Sequence, residues 1–459
     1  MTRSATRTLS LGTESIGRLL WQYSLPAIIA MTASSLYNIV DSVFIGHGVG
    51  ALALSGLTVA KPFMDICAAF GSLVGVGASS LIAIKLGQKE YESARRVLGN
   101  VIVLNIVLSA MVTIVGLYWL DPILTAFGAS EQTLIYAHDY MVPILIGNVL
   151  THIYFGLNNV LRASGHPNES MIATIVAVAS NIILDPIFIF LLDMGVRGAA
   201  IATMISQAIA VVWQFTIFLN PKELLHFTKK MWRLDWEIAG SSLAIGMSPF
   251  LMNIAHCFVV IILNNQLKAY GGDMAIAAYG VINRLSFVFA MIVMGLNQGM
   301  QPIVGYNYGA KEYDRMLHTF RLTAIWATVV TSAVFLLAEI CPTTMVRMFT
   351  HDKDLIEMSV PAMRIVLCVF FCTGFQMVTG NFFTSIGKAR TAIFLSLSRQ
   401  VLLLIPLSLL LPELWGLNGV WSSLPASDFL SAIIAGVVLY VRLVRFRRSQ
   451  AKGKAHAQA

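Results

Sequence analysis

The chain has 459 residues, of which 57% are hydrophobic and only 12% are charged, and its formal net charge at pH 7 is +8. A soluble globular protein carries about twice that share of charged residues, so the composition excludes a soluble enzyme or binding domain and predicts a polytopic membrane protein. The five cysteines are odd in number and show no C-x-x-C spacing, which argues against a disulfide framework or a metal site.

Apolar segments long enough to cross the hydrocarbon core as helices recur along the whole chain. They are continuously apolar and lack the alternation of barrel strands, which favours helices. We therefore predict an all-α polytopic membrane protein with twelve transmembrane helices in two pseudo-symmetric six-helix bundles. The predicted spans are 16–44, 52–83, 96–120, 133–157, 167–192, 197–219, 238–267, 275–306, 318–340, 355–384, 391–411 and 416–441.

The two bundles are predicted from an internal repeat. The run Gly-x-Lys-Glu-Tyr begins at Gly87 and again at Gly309, 222 residues later, and Gly165 and Gly387 keep the same offset. In membrane proteins such duplication usually produces two bundles that move about a central cleft, although it could also only enlarge a scaffold. The predicted divisions are an N-lobe (1–219), a cytoplasmic linker (220–236), a C-lobe (237–442) and a basic cytoplasmic tail (443–459).

Lysine and arginine are concentrated in every second loop. The positive-inside rule places these loops and both termini in the cytoplasm of a bacterial inner membrane. Topology and contact with the bilayer explain the positive charge, so we expect no nucleic-acid partner. The residues that carry this pattern include Arg3, Arg7, Arg18, Lys85, Lys89, Arg95, Arg96, Lys222, Lys229, Lys230, Arg233, Lys311, Arg315, Arg321, Lys388, Arg390, Arg442 and Arg445.

The polar segments between the spans are short. None is long enough to form an ATP-hydrolysing domain, and the sequence contains no G-x-x-x-x-G-K-[ST] run, so transport would be driven by an ion gradient. The sequence also lacks the H-E-x-x-H and G-x-S-x-G runs of hydrolytic enzymes. We therefore expect no enzymatic activity and no cofactor other than a coupling ion.

Asp41 and Asp185 are carboxylates within predicted spans, where such groups are costly and mark functional sites. Asp41 and Asp185 each lie about twenty residues along an outward-running span, and hence at similar depth. Asn181 shares a helix face with Asp185, and Thr203 in the sixth span reaches the same level. We predict that these four side chains bind Na⁺ or hold a shared proton.

The alternative is that these polar groups only form hydrogen bonds between helices of one bundle. The internal repeat argues against that alternative for the acids. The positions opposite Asp41 are Asn264 or Asn265, and Ile405-Pro406 stands opposite Asp185-Pro186. A shared scaffold would not need acids in only one copy, so one lobe is predicted to perform ion coupling.

Five short motifs lie along nearly the whole chain: Pro26, Tyr37-Asn38-x-x-Asp41-x-x-Phe44-Ile45-Gly46, Arg162-Ala163-Ser164-Gly165 with Pro167, Asn181-x-x-x-Asp185-Pro186, and Gln301-Pro302-x-x-Gly305-Tyr306-Asn307-Tyr308-Gly309. Together they resemble the MATE (multidrug and toxic compound extrusion) family. The second half offers His256 and asparagines in span seven and Arg364 in span ten, with no carboxylate in the interior of either span. That pattern resembles the DinF-like branch rather than the NorM-like branch.

The resemblance implies a function and roles for these residues. It implies a monomeric H⁺- or Na⁺-coupled antiporter that exports amphiphilic or cationic drugs by alternating access; the alternative is a lipid-linked precursor flippase of the same superfamily. Asp41 and Asp185 would be the coupling acids, Asn181 and Thr203 their neighbours, and Pro26 the hinge. Candidate drug contacts are Tyr37, Asn158, Arg284 and Met291. The charges Arg284, Arg399 and Asp428 could line the cleft or simply be paired or snorkelling.

Overall fold

The structure is a computed structural model that describes residues 9–458, without the side chains of residues 38, 39, 51, 229, 230 and 445–458. The charged side chains of the predicted basic tail (443–459) lie outside this description, as do Arg3 and Arg7. Within the described residues the chain is helical and contains no β-strand.

Twelve membrane-spanning helices can be traced in the described chain. In order they are α1 (Ile16–Gly48), α2 (Ala51–Gly87), α3 (Tyr91–Tyr118), α4 (Glu131–Ile146 and Asn148–Ala163), α5 (Pro167–Pro186, continued by a π-helical segment Ile187–Leu191), α6 (Gly195–Phe218), α7 and α8 (Trp236–Gly309, divided at Gly272), α9 (Tyr313–Ile340), α10 (Lys353–Leu367 and Phe370–Ser385), α11 (Ala389–Leu397, π-helical Ser398–Leu404 and Ile405–Trp415) and α12 (Leu417–Gln458).

The count of twelve depends on three interrupted helices. Among the described residues, nine helices are long and apolar enough to cross a membrane, and the bent helix pairs of α4 and α10 bring the number to eleven. The remaining span comes from Trp236–Gly309, which has 74 residues and leaves helical geometry at Gly272, where φ is 67°. An unbroken helix of that length would measure about 110 Å, several times the hydrocarbon thickness, so the break separates two spans.

The helix ends follow ordinary capping chemistry. Ser130 begins α4 with a capping box, and the side chains of Asp235 and Asp352 accept backbone N–H groups at the starts of α7 and α10. Pro167 occupies the first turn of α5, where its missing N–H costs nothing. One expectation differs: the sequence predicts a loop at 268–274, whereas helix continues on both sides of Gly272 because a single glycine with positive φ makes the turn.

The sequence repeat reappears as repeated irregularities. Both α4 and α10 are bent, by 57° and 50°. Both α5 and α11 contain a π-helical segment, and short helices, Leu120–Ala126 and Pro342–Arg347, follow α3 and α9. The same departures from regular helix at equivalent places confirm the predicted pseudo-symmetric pair of six-helix sets.

By contacts, the described chain divides into two compact units. The first contains the chain up to Ile254 together with Met294–Thr319 and Thr384–Ala389, and the second contains Ala255–Val293, Phe320–Phe383 and the chain from Arg390 onward. The first unit therefore includes α1–α6 and one end each of several helices from the second repeat. The lobes 1–219 and 237–442 are a division by repeat and stay a prediction.

Glycines allow close helix contact inside the first unit, at the end that the charge pattern predicts to be cytoplasmic. A Cβ at Gly77 of α2 would collide with the Ser242 carbonyl of α7, and a Cβ at Gly299 of α8 would collide with Ser24 of α1. Gly77 and Gly299 are 222 residues apart and so are equivalent positions of the repeat. The helices of the two repeats thus pack here with local pseudo-two-fold symmetry.

A polar contact lies in the same place. The Gln301 side chain of α8 donates to the hydroxyls of Ser79 and Ser80 on α2, at 2.9 and 2.8 Å. Gln301 and Ser79 are again 222 residues apart. Hydrogen bonds between equivalent residues indicate that the pseudo-two-fold axis passes close to this pair.

Candidate acid cluster within the first unit

Asp41 and Asp185 meet where α1 packs along α5. Asp41 is 6% exposed and Asp185 is fully buried. The two carboxyl groups lie within hydrogen-bonding range of each other. None of the ion pairs formed by described residues involves either aspartate. The positive charge that acts on Asp41 is Lys61 of α2, which is itself paired with Asp65.

Asn181 and Thr203 complete the arrangement expected from the sequence. The Asn181 amide donates to Asp185 Oδ1 and to Thr203 Oγ1, both at 3.2 Å. One helical turn separates Asn181 from Asp185, so α5 presents both on one face. The structure therefore brings together all four predicted cation ligands: Asp41, Asp185, Asn181 and Thr203.

Two tyrosines border this acid cluster. The Tyr37 hydroxyl of α1 lies 3.2 Å from Thr203 Oγ1, so Tyr37, which the sequence predicts as a drug contact, lies beside the acids. Tyr140 of α4 is 2% exposed and lies near both aspartates and Thr203. Sequence analysis did not identify Tyr140, and a tyrosine in an apolar span at the predicted depth was the only signal available.

The cluster contains more buried acceptor oxygens than donors. Asp41 Oδ1, Asp185 Oδ2 and Asn181 Oδ1 are buried, and no described hydrogen-bond donor reaches them. Buried polar atoms are nearly always partnered, and three orphaned acceptors in one place form a site that a positive group would complete. A proton between the carboxyl groups, or a hard cation such as Na⁺ that prefers oxygen ligands, has the required chemistry.

The local sequence explains how Asp185 is presented. Pro186 follows it directly and has no N–H to continue the helical ladder. The chain then widens into the π-helical segment Ile187–Leu191. Such segments are rare and occur mostly at functional sites.

The other predicted residues lie elsewhere. Asn158 is buried, donates to Thr174 at 3.1 Å and accepts from Ser170 at 2.7 Å, which connects α4 to α5. Arg284 is exposed and Met291 is half-buried, and both belong to the second unit. Pro26 is buried within α1, which is continuous from Ile16 to Gly48. Roles in drug binding or hinge motion stay predictions for these residues.

Two of the charges without an assigned role form a second cluster, within the second unit. Arg399 of α11 and Asp428 of α12 form an ion pair, with 2.5 Å between Nε and Oδ1. Asp428 Oδ2 accepts a hydrogen bond from Thr373 of α10 at 3.2 Å. Arg399 and Asp428 are therefore paired with each other.

Comparisons with known proteins agree with this architecture. The MatE family model matches residues 26–187 and 246–410, one match in each repeat. The multidrug export protein MepA of Staphylococcus aureus (strain MSSA476) is 30% identical over 424 residues, covering 92% of this chain and 93% of that protein. MepA of Staphylococcus haemolyticus (strain JCSC1435) is 29% identical over 427 residues, covering 93% of this chain and 94% of that protein.

Solved structures give the same result. The MATE multidrug transporter DinF-BH, in complex with rhodamine 6G, is 39% identical and superposes with a TM-score of 0.86, covering 94% of this chain and 96% of that one. A MATE structure in the bent conformation matches with a TM-score of 0.91 at 23% identity, covering 98% and 100% of the two chains, and supports the fold alone. The chain therefore belongs to the MatE family, as a DinF-like, multi-pass MATE transporter.

Proposed function

We propose that the protein is a secondary antiporter that exports amphiphilic, often cationic, compounds in exchange for an inward-moving proton or Na⁺. The observation that carries this proposal is the buried acid pair Asp41–Asp185, which has orphaned acceptor oxygens and forms no ion pair with a described residue. Multidrug export by the MepA relatives and the rhodamine 6G complex of DinF-BH support the class of cargo.

The cation is a transported substrate in this scheme. Two carboxyl groups within hydrogen-bonding range repel one another when both are ionised, so the pair gains most from one proton or one metal cation. The unpartnered Asn181 Oδ1 would supply a neutral oxygen to Na⁺, and the Asn181 amide N–H group holds Asp185 in place. Thr203 accepts from Asn181 and Tyr37, so it would supply its oxygen to Na⁺ by giving up one of these hydrogen bonds. The same side chains suit both ions, which is why the proposal names the two.

Coupling to movement follows from which helices carry the cluster. Asp41 and Tyr37 lie on α1, whereas their partners lie on α4, α5 and α6. Loading a cation changes the force between α1 and these partners, and so shifts the balance between two arrangements of α1. Drug and cation are coupled when each binds a different arrangement better.

The test is gradient-driven transport by purified protein in liposomes. Efflux of rhodamine 6G is measured with a pH gradient alone and with a Na⁺ gradient alone, for the wild type and for Asp41→Asn and Asp185→Asn. We expect one of the two gradients to drive the wild type. The rate of gradient-driven efflux should fall about tenfold or more in both variants. An amide can neither hold an exchangeable proton nor supply the negative charge that balances Na⁺.

The matched control is Asp193→Asn. Asp193 is exposed and has a φ of 51°, a conformation that asparagine tolerates well. Its substitution should leave transport unchanged. Wild-type transport by folded Asp41→Asn or Asp185→Asn would refute the assignment.

The flippase alternative makes a different demand on the structure. A lipid-linked pyrophosphate would need several free cationic side chains within the bundles, but Arg399 is paired with Asp428. Liposomes tested with rhodamine 6G and with a lipid-linked precursor separate the two functions, and transport of the lipid alone would favour the flippase.

A further inference from the structure

The second buried cluster is electrostatically complete, which the acid cluster is not. Asp428 is 5% exposed, and each of its carboxylate oxygens has a partner, Arg399 on Oδ1 and Thr373 on Oδ2. Tyr279 and Cys372 also lie near Asp428, and both side chains are ordinarily uncharged at pH 7. Arg399 therefore supplies the positive charge that balances this carboxylate.

The internal repeat shows what this cluster replaces. Thr373 and Asp428 are equivalent to Thr151 and Gln207, which lie 222 and 221 residues earlier. Thr151 donates to Gln207 Oε1 at 2.5 Å, so the first repeat contains the same contact in neutral form. The position equivalent to Arg399 falls at Ala177 or Val178. The second repeat thus carries an acid and a base together where the first repeat carries neither.

We propose that Arg399 is a built-in counter-cation that prevents Asp428 from taking up an exchangeable cation. It would confine coupling to the acid cluster and thereby determine how many cations are exchanged for each drug molecule. This inference rests on the proposed antiport function. Its physical basis is that a buried carboxylate is costly unless a positive charge balances it. A carboxylate without a fixed basic partner therefore binds a proton or a metal ion.

The decisive variant is Arg399→Gln, which removes the guanidinium and leaves Asp428 in place. Bound cations are counted on purified protein in two ways. Exchangeable protons are counted by their release at fixed pH when rhodamine 6G is added, and bound Na⁺ is counted with ²²Na⁺. We expect about one more exchangeable cation per protein, because one uncompensated carboxylate needs one positive charge. The ratio of cation to rhodamine 6G in liposomes should rise accordingly.

Two further variants keep the test decisive if Arg399→Gln fails to fold. Arg399→Lys keeps the positive charge and should bind as many cations as the wild type. The double variant Arg399→Val/Asp428→Gln copies the neutral side chains of the first repeat, and it should also keep the wild-type number of cations. Loss of a cation in the double variant would overturn the proposal, because Asp428 would then hold one in the wild type. Unchanged binding in folded Arg399→Gln would also overturn it.

Failure of this inference can be told apart from failure of the proposed function. Asp41→Asn should remove a cation from the wild type if the acid cluster is the coupling site. Cation binding that persists in Asp41→Asn and Asp185→Asn would contradict the proposed function, whereas unchanged binding in Arg399→Gln would contradict only the role of Arg399.

Discussion

Thr203 is the residue around which the acid cluster is organised. Its hydroxyl has one hydrogen, which it donates to the Ala199 carbonyl at 3.0 Å. The Thr203 oxygen must therefore accept from Asn181 and from the Tyr37 hydroxyl. A single oxygen thus connects side chains from α1 and α5 to α6, and it is in place to transmit a change at the acids.

Thr203→Val tests this connection with almost no change in volume. It leaves the Tyr37 hydroxyl and one Asn181 donor bond without their acceptor, which costs about 1–3 kcal/mol for a buried group. We expect weaker cation binding and slower rhodamine 6G efflux. A thermal unfolding curve should show that the variant is still folded. Thr203→Ser retains the oxygen and should restore efflux; equal efflux by valine and serine variants would contradict the role of the hydroxyl.

At the scale of elements, the proposed antiport mechanism assigns to α1 the coupling of the acid cluster to movement. It carries Tyr37 and Asp41, and it also carries Pro26, around which the helix lacks one backbone hydrogen bond. Proline lowers the cost of bending a helix at that point. The acid cluster and the weak point therefore lie on the same helix, about four turns apart.

Pro26→Ala is expected to separate cation binding from transport. Alanine restores the N–H donor and stiffens α1, so the change of shape becomes more costly while the acid cluster keeps all its side chains. Efflux of rhodamine 6G should fall several-fold, and ²²Na⁺ binding or proton release should match the wild type. Equal loss of binding and efflux would show that Pro26 positions the cluster instead of allowing α1 to bend.

For the whole molecule, the informative feature is the glycine contact within the first unit. Helices from both sequence repeats approach closely at Gly77 and Gly299, and Gln301 joins α8 to α2. This packing closes the first unit at the end predicted to be cytoplasmic. In the proposed export cycle, loading of cargo from the cytoplasm would require this contact to open and then to form again.

Gly77→Ala should shift the protein towards an arrangement open at that end, because the added methyl would collide with the Ser242 carbonyl. The readout is alkylation of a cysteine placed at the buried Ser79, which should become faster than in the parent protein. Gly240→Ala on α7 is the matched control, since a Cβ there meets no atom within 4 Å. Equal alkylation rates in the two variants would refute this view of the contact.

Much of this molecule follows from local pattern. Apolar length determines that the chain spans the membrane twelve times, and the repeated Gly87 and Gly309 runs determine that it does so in two similar sets. The four-residue spacing of Asn181 and Asp185 places both on one helix face, because helical periodicity depends only on the sequence. Membership of the MATE family and its DinF-like branch was confirmed, whereas the lobe boundaries and the functions of the site residues stay predictions.

Tertiary structure alone decided the remaining contacts. Arg399 and Asp428 are unassigned charges in the sequence, and only the packing of α11 against α12 makes them an ion pair. Tyr140 joins the acid cluster because α4 brings it there, and Asp185 Oδ2 is orphaned because no described hydrogen-bond donor reaches it. Such contacts depend on how helices distant in sequence are turned and spaced, to within a hydrogen-bond length. Periodicity carries no information at that precision, whereas it does specify which residues face which side of a helix.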